Sequence, residues 1–249
     1  SQSRCRDAFP HDGAAPVPYP KQRIQQVFGL QTAVRQGCCQ LGECGAEGQG
    51  GSLALYPICR SSDTCRMSFV FRQKLSDLHD IVIDAERIQL RTLSAAYAAE
   101  IYREFTPAIT RYMRAAPPAE IGDTVAFIEA ARSALDCGED FHFVICRKGG
   151  TEFLGICGLH GGAALPELGI WLKQAAQGRG YGLEALAALK AWAEGCIEFD
   201  SLVYPVDRRN LPSRRLVEKM GGKIIGERTV TSLSGALLDE VVYGVQRVP

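Results

Sequence analysis

The chain has 249 residues, of which 46% are hydrophobic and 22% charged, and 28 Lys+Arg balance 28 Asp+Glu. This composition excludes collagen-like, coiled-coil and highly charged disordered chains, and zero formal net charge argues against broad electrostatic capture of nucleic acid, which needs a basic footprint. No run of about 18 apolar residues is present, so no membrane-spanning helix is expected, and residues 1–20 lack the apolar core of a secretory signal.

Ten cysteines are present. Cys5, Cys38, Cys39, Cys44, Cys59 and Cys65 crowd the first 66 residues, and Cys137, Cys146, Cys157 and Cys196 share the rest. The crowded set lacks paired C-x-x-C spacing and no histidine pair completes it, so no metal centre is expected. Free thiols in a reducing cytoplasm are the expected state. Residues 1–66 show no sustained period of 2 or 3.6, with Pro10, Pro16, Pro18 and Pro20 and a glycine-rich stretch over 42–51. They are expected to form a flexible extension carrying at most a short helix over 21–35, leaving 67–249 as the folded domain.

From Met67 onward the pattern becomes periodic. Ile88-Gln89-Leu90-Arg91-Thr92-Leu93 alternates as a half-buried strand does. Ser94 can cap a helix running to Phe105, with Tyr97, Ile101 and Phe105 on one face. Pro117-Pro118 breaks the next stretch, after which Asp123 or Thr124 opens a helix to Leu135. Three strand-like runs follow over 141–147, 153–159 and 168–172, then an Ala/Leu-rich helix over 181–194. Strand 202–206, helix 213–220 and strands 223–230 and 240–246 complete the chain. The order predicts a mixed α/β domain, an α+β arrangement around a mixed sheet.

Two segments carry chemistry. Gln177-Gly178-Arg179-Gly180-Tyr181-Gly182 lies between a strand and a helix, where three glycines let several N–H groups converge ahead of a helix N-terminus. Such a loop suits an anionic group such as a diphosphate, with Arg179 adding a charge. It is neither G-x-G-x-x-G nor a Walker A loop, and a glycine-rich turn without a ligand is the competing interpretation. The second segment, Asn210-Leu211-Pro212-Ser213 running into Glu218-Lys219-Met220-Gly221, reads first as the capped start and end of a helix.

Together these segments resemble the GNAT superfamily of N-acetyltransferases. Gln177-x-x-Gly180-x-Gly182 is similar to its Q/R-x-x-G-x-G/A loop. Glu167-Leu-Gly169-Ile-Trp171-Leu, Asn210-x-x-Ser213 and the Thr106-Pro-Ala-Ile-Thr-Arg-Tyr-Met113 run resemble the RimJ/RimL branch, in order over roughly 83–247. The resemblance implies an acetyl-CoA site in a splayed sheet. Amides of Gln177, Gly178, Arg179, Gly180, Tyr181 and Gly182 would hold the pyrophosphate. The backbone of Trp171, Leu172 and Lys173 would pair with the pantetheine arm, and Asn210 and Ser213 would border the thioester. The acceptor implied is a primary amine, a protein N-terminus in the branch's namesakes, with a small-molecule amine or a non-catalytic acyl-CoA-binding module as alternatives. Neither nucleic acid nor membrane is an expected partner.

Among catalytic candidates, Glu167 is the expected base, acting through water, and Ser213 the donor to the leaving thiolate. Tyr243 and Cys157 read as core and His160 as a turn residue. Two departures from the branch stand out: Val230-Thr231-Ser232-Leu233 contains no glutamate, and Gly222 stands where phenylalanine is usual.

Overall fold

The computed structural model describes residues 68–73, 75, 77–161 and 165–247; the extension over 1–66 and its short helix lie outside these. In chain order the elements are β1 (Val82–Asp84), β2 (Ile88–Thr92), α1 (Ala98–Glu104), α2 (Pro107–Thr110), α3 (Ile121–Asp136), β3 (Phe141–Arg147), β4 (Phe153–His160), β5 (Glu167–Leu172), α4 (Tyr181–Cys196), β6 (Ser201–Asp207), α5 (Leu211–Lys219), β7 (Lys223–Thr231) and β8 (Leu237–Gln246). The expected mixed α/β class is the observed one.

Several boundaries differ from expectation for local reasons. Ser94 makes no side-chain cap bond, and the chain forms a 3-10 turn over Ala95–Tyr97 before α1 begins. Phe105 leaves the helix at ψ 67 and Thr106 is extended (φ −87, ψ 168), because the following Pro107 disfavours the helical region for the residue before it. Helix α3 opens at Ile121, not at Asp123 or Thr124. Asp123 sits one turn in, and its carboxylate accepts from the backbone N–H groups of Ala119 (3.0 Å) and Glu120 (3.3 Å), which fixes the start. Strand β1 and helix α2 are too short to leave a periodic signature.

The described strands form one sheet in the order β1-β2-β3-β4-β5-β6-β8-β7. All neighbours run antiparallel except β5 and β6. Successive side chains alternate between faces, so the register assigns each to one of two layers. One face packs against α4 and α5 through Ile88, Phe143, Leu159, Leu168, Leu186, Leu189, Leu202 and Tyr243, all buried. The other packs against α1 and α3 through Ile101, Phe127, Ile128, Val144, Cys146 and Ile156. Burying such side chains contributes roughly 1.5–3 kcal/mol each against leaving them exposed, which fixes the register and with it the positions of the polar residues between. No helix among the described residues is long and apolar enough to cross a membrane.

Candidate active site

The parallel pair β5–β6 meets at one register position, Glu167 opposite Val203, where Val203 N–H donates to the Pro166 carbonyl (2.9 Å). Beyond it the strands part. On its other edge β5 stays bonded to β4, and Lys173 N–H continues that ladder to the Leu154 carbonyl (2.9 Å). Backbone groups of an antiparallel strand point alternately to either side. Lys173 and Trp171 therefore face β4, whereas Leu172 and Ile170 turn their amides into the gap. Of the expected trio, Leu172 is the residue whose backbone lines the cleft, although its carbonyl already accepts from Gln177 Nε2 (3.0 Å).

Both strands run their C-terminal ends toward the mouth of this cleft, so the helices that follow them, α4 and α5, begin there. Gly180 caps α4 at φ +84, and Gly178 precedes it at φ +72. This is left-handed backbone that a Cβ disfavours by roughly 1–2 kcal/mol per residue. The first N–H groups of a helix have no partner one turn back, and here the Arg179 carbonyl is turned away to accept from Arg87 Nη1 (3.1 Å). Gly178, Arg179 and Gly180 are exposed. At Gly182 a Cβ would stand 2.9 Å from Leu216 Cδ1, so the first turns of α4 and α5 pack directly together. The loop thus has the shape and exposed donors that fit a diphosphate.

Arg87, in the turn between β1 and β2, was not singled out by sequence because its partners lie some 90 residues away. Its backbone N–H donates to Glu184 Oε1 (2.6 Å) and its Nε to Oε2 (2.8 Å), and its guanidinium lies 4.8 Å from the centre of the Tyr181 ring. It therefore braces the loop and the first turn of α4.

On the β6 side, Asn210 Oδ1 accepts from Ser213 N–H (3.3 Å), the N-cap of α5. Ser213 Oγ lies 2.7 Å from the hydroxyl of Tyr204, a buried β6 side chain. Burial pushes the Tyr204 phenol up to about 12, against a smaller lowering by Ser213, so it keeps its proton at neutral pH. Sequence gave no hint of Tyr204. Tyr243 is buried as expected, and its hydroxyl donates to Glu218 (2.7 Å) and accepts from Arg214 Nε (3.0 Å). Cys157 is buried, and desolvation raises its thiol well above the ordinary value; it is no nucleophile. The Gly222 departure has a local counterpart: a Cβ there would meet Val217 Cγ2 at 2.7 Å.

Glu167 projects from the opposite face to Ser213. It shares that face with half-buried Gly169, Trp171, Val203, Pro205 and Val242, which form a shallow groove across β5, β6 and β8. Phe105 and Phe153 pack on Trp171 at ring distances of 4.9 and 5.6 Å and wall one side. The Glu167 carboxylate contacts Arg228 (3.2 Å) and Arg114 (3.5 Å), and both arginines also hold Glu240. At the end of the groove, Asp140, His142 and His160 bring one potential ligand atom each within 4.8 Å of one another. His160 Nδ1 lies 3.6 Å from Asp140 Oδ1. His160, expected as a turn residue, is the last residue of β4.

The domain and its fold are matched by known proteins. The sequence profile of the acetyltransferase (GNAT) domain matches residues 87–223. The fold is similar to that of an acetyltransferase from Salmonella typhimurium that modifies the N-terminal serine of 50S ribosomal subunit protein L7/L12. That likeness has a TM-score of 0.60 at 15% identity, over 68% of this chain and 100% of that one. It is similar also to RimL, a ribosomal L7/L12 alpha-N-protein acetyltransferase, in complex with coenzyme A (TM-score 0.60, 16% identity, 67% and 98% covered). A GNAT-family acetyltransferase from Bacillus anthracis aligns at TM-score 0.57 with 19% identity, over 67% and 98% of the two chains. No curated protein sequence matches the chain. A profile match across more than half the chain, on this splayed sheet, places the protein in the GNAT acetyltransferase family.

Proposed function

We propose that the protein transfers an acetyl group from acetyl-CoA to a primary amine by direct reaction in a ternary complex, the acceptor being a protein N-terminal amine. The parting of β5 from β6, with two helix N-termini at its mouth, is the observation that carries this reading. The exposed amides of the 177–182 loop would take the diphosphate, with Arg179 beside them. The cleft-facing backbone at Leu172, between Trp171 and Lys173, would take the pantetheine arm. Structural similarity to RimL in complex with coenzyme A supports the choice of cofactor. The free thiols Cys146, Cys157 and Cys196 fit a reducing, cytoplasmic setting.

The amine lone pair attacks the thioester carbonyl, the C–S bond breaks, and sulfur leaves as a thiolate that takes up a proton. Asn210 sets the start of α5 and so the place of Ser213. The Ser213 and Tyr204 hydroxyls share one 2.7 Å hydrogen bond in which either can donate; with Tyr204 as the donor, Ser213 has its own proton to offer the sulfur. Glu167, on the groove face, is the carboxylate that meets the amine. An α-amine with pKa about 7.7–8.0 is already roughly 10–15% neutral at pH 7, so positioning outweighs deprotonation for such an acceptor, more than for a lysine.

Release of free thiol from acetyl-CoA across N-terminal peptides, lysine peptides and small amines tests this. Turnover on an N-terminal peptide is expected. Turnover confined to small amines would replace the acceptor class, and binding without turnover would indicate a non-catalytic acyl-CoA-binding module. Tyr204→Phe keeps the packing but removes the donor to Ser213, and should lower kcat about tenfold, the scale of one hydrogen bond of roughly 1.4 kcal/mol. KM for acetyl-CoA should be unchanged.

A further inference from the structure

We propose that His160, oriented by Asp140, accepts the proton that the acceptor amine loses, while Glu167 beside it holds the amine in place. This rests on the acetyltransferase reading above and assigns the proton acceptor within it.

The register brings the groups together. His160 on β4 stands directly opposite Glu167 on β5, and Gly158 opposite Gly169. On the other side of β4, Phe141 pairs with Leu159 and His142 with Gly158. Asp140, one residue before β3, therefore lies across from His160. By alternation, Asp140, His142, Gly158, His160, Glu167 and Gly169 face the groove side of the sheet, and Phe141 and Leu159 the other.

The two glycines decide where the ring goes. A Cβ at Gly158 would stand 2.8 Å from His160 Cε1, and one at Gly169 would stand 2.9 Å from Nε2. The imidazole therefore lies over the glycine pair. Its Nδ1 points to Asp140 Oδ1 at 3.6 Å, and its Nε2 is directed along β5 toward the stretch where that strand leaves β6. Asp140 is buried and also accepts from Gly161 N–H (3.2 Å), which fixes the carboxylate behind the ring. At 3.6 Å the carboxylate orients the ring through an electrostatic contact. The ring itself is partly open, with 28% of its side chain exposed.

Glu167 is less suited to this task. Its oxygens are engaged by two guanidinium groups and would have to leave them to take a proton. It remains well placed to attract an ammonium group. The titratable and charged groups facing His160 are Asp140 and His142 from β3, Glu167 from β5 and Arg114 from the segment after α2, with Glu240 and Arg228 behind Arg114. Burial disfavours the charged ring, but the Asp140 contact outweighs it and holds His160 above its ordinary value. In the step itself, the C–N bond forms and the C–S bond breaks. The nitrogen's proton passes to His160 Nε2, Ser213 gives a proton to the thiolate, and solvent takes the proton from His160 and returns one to Ser213.

The test uses the full chain, acetyl-CoA and an N-terminal peptide. His160→Gln should lower kcat about 100-fold at pH 7, within the range of general-base contributions, with coenzyme A affinity by calorimetry within twofold of wild type. His160→Ala should be partly rescued by added imidazole, which a purely structural role would not allow. Asp140→Asn, which removes the group raising the His160 pKa, should move the ascending limb of kcat to lower pH. Loss of that limb in Glu167→Gln with its retention in His160→Gln would overturn the proposal in favour of Glu167. Rates of His160→Gln within threefold of wild type would overturn it too. So would activity abolished by a chelator and restored by Zn2+, which would make Asp140, His142 and His160 a metal site. A wild-type protein that binds coenzyme A but acetylates no amine would instead remove the acetyltransferase reading on which the proposal stands.

Discussion

A buried imidazole contributes to how this fold responds to acid. His142 is 9% exposed, its Nε2 has no hydrogen-bond partner, and Phe127 packs edge-on against it at 5.2 Å. Burial, with the nearby His160 adding to it, pulls its pKa down to about 3 from 6.5. Between those values the unfolded chain binds a proton that the folded one refuses, so this residue's contribution is complete above pH 6.5 and declines as pH falls toward 3. His142→Phe should therefore lose less stability than wild type between pH 7 and pH 5 in urea unfolding; an unchanged pH slope would mean His142 does not titrate as inferred. His160 responds in the opposite sense, since its raised pKa gives stability that is present below 6.5 and fades as pH rises through the folded value. At this scale the sequence was a partial guide. Glu167, Asn210 and Ser213 were legible because they stand inside short motifs. Arg87, Tyr204 and the Asp140–His160 pair were not, because their partners come from other strands and only the register joins them.

Among the elements, the 177–182 loop carries the most specific consequence. Gly180 combines φ +84 with a space in which a Cβ would meet Arg87 Nη2 at 3.2 Å. Gly180→Val would strain the backbone and displace the brace that turns the Arg179 carbonyl away from the site. We expect at least a tenfold loss of coenzyme A affinity by calorimetry, with a loss of stability of about 1–3 kcal/mol. Retention of wild-type affinity would place the phosphates elsewhere. The long strands and α4 could be read from period alone, because each buries a continuous face against the sheet. The starts of α3 and α5 could not, since Asp123 and Asn210 fix them through side-chain bonds to the backbone that periodicity does not register.

For the molecule as a whole, the decisive feature is a sheet that is joined at one point between β5 and β6 and open beyond it, with the proposed cofactor-facing residues on one side and the proposed acceptor groove on the other. Nothing in composition or hydrophobic pattern states that two parallel strands will part; that expectation came from the family resemblance, and the single β5–β6 register position is its structural counterpart. The separation of faces is what would let Ser213 and Glu167 serve different ends of the proposed reaction. It also explains why the groove, lined by side chains from several distant strands, left the acceptor unspecified in the sequence. Titration of the full chain with coenzyme A at two temperatures tests the central claim most directly. Saturable binding of one equivalent, displaced by acetyl-CoA and weakened by Gly180→Val, is the predicted result; absence of binding heat at both temperatures would contradict it.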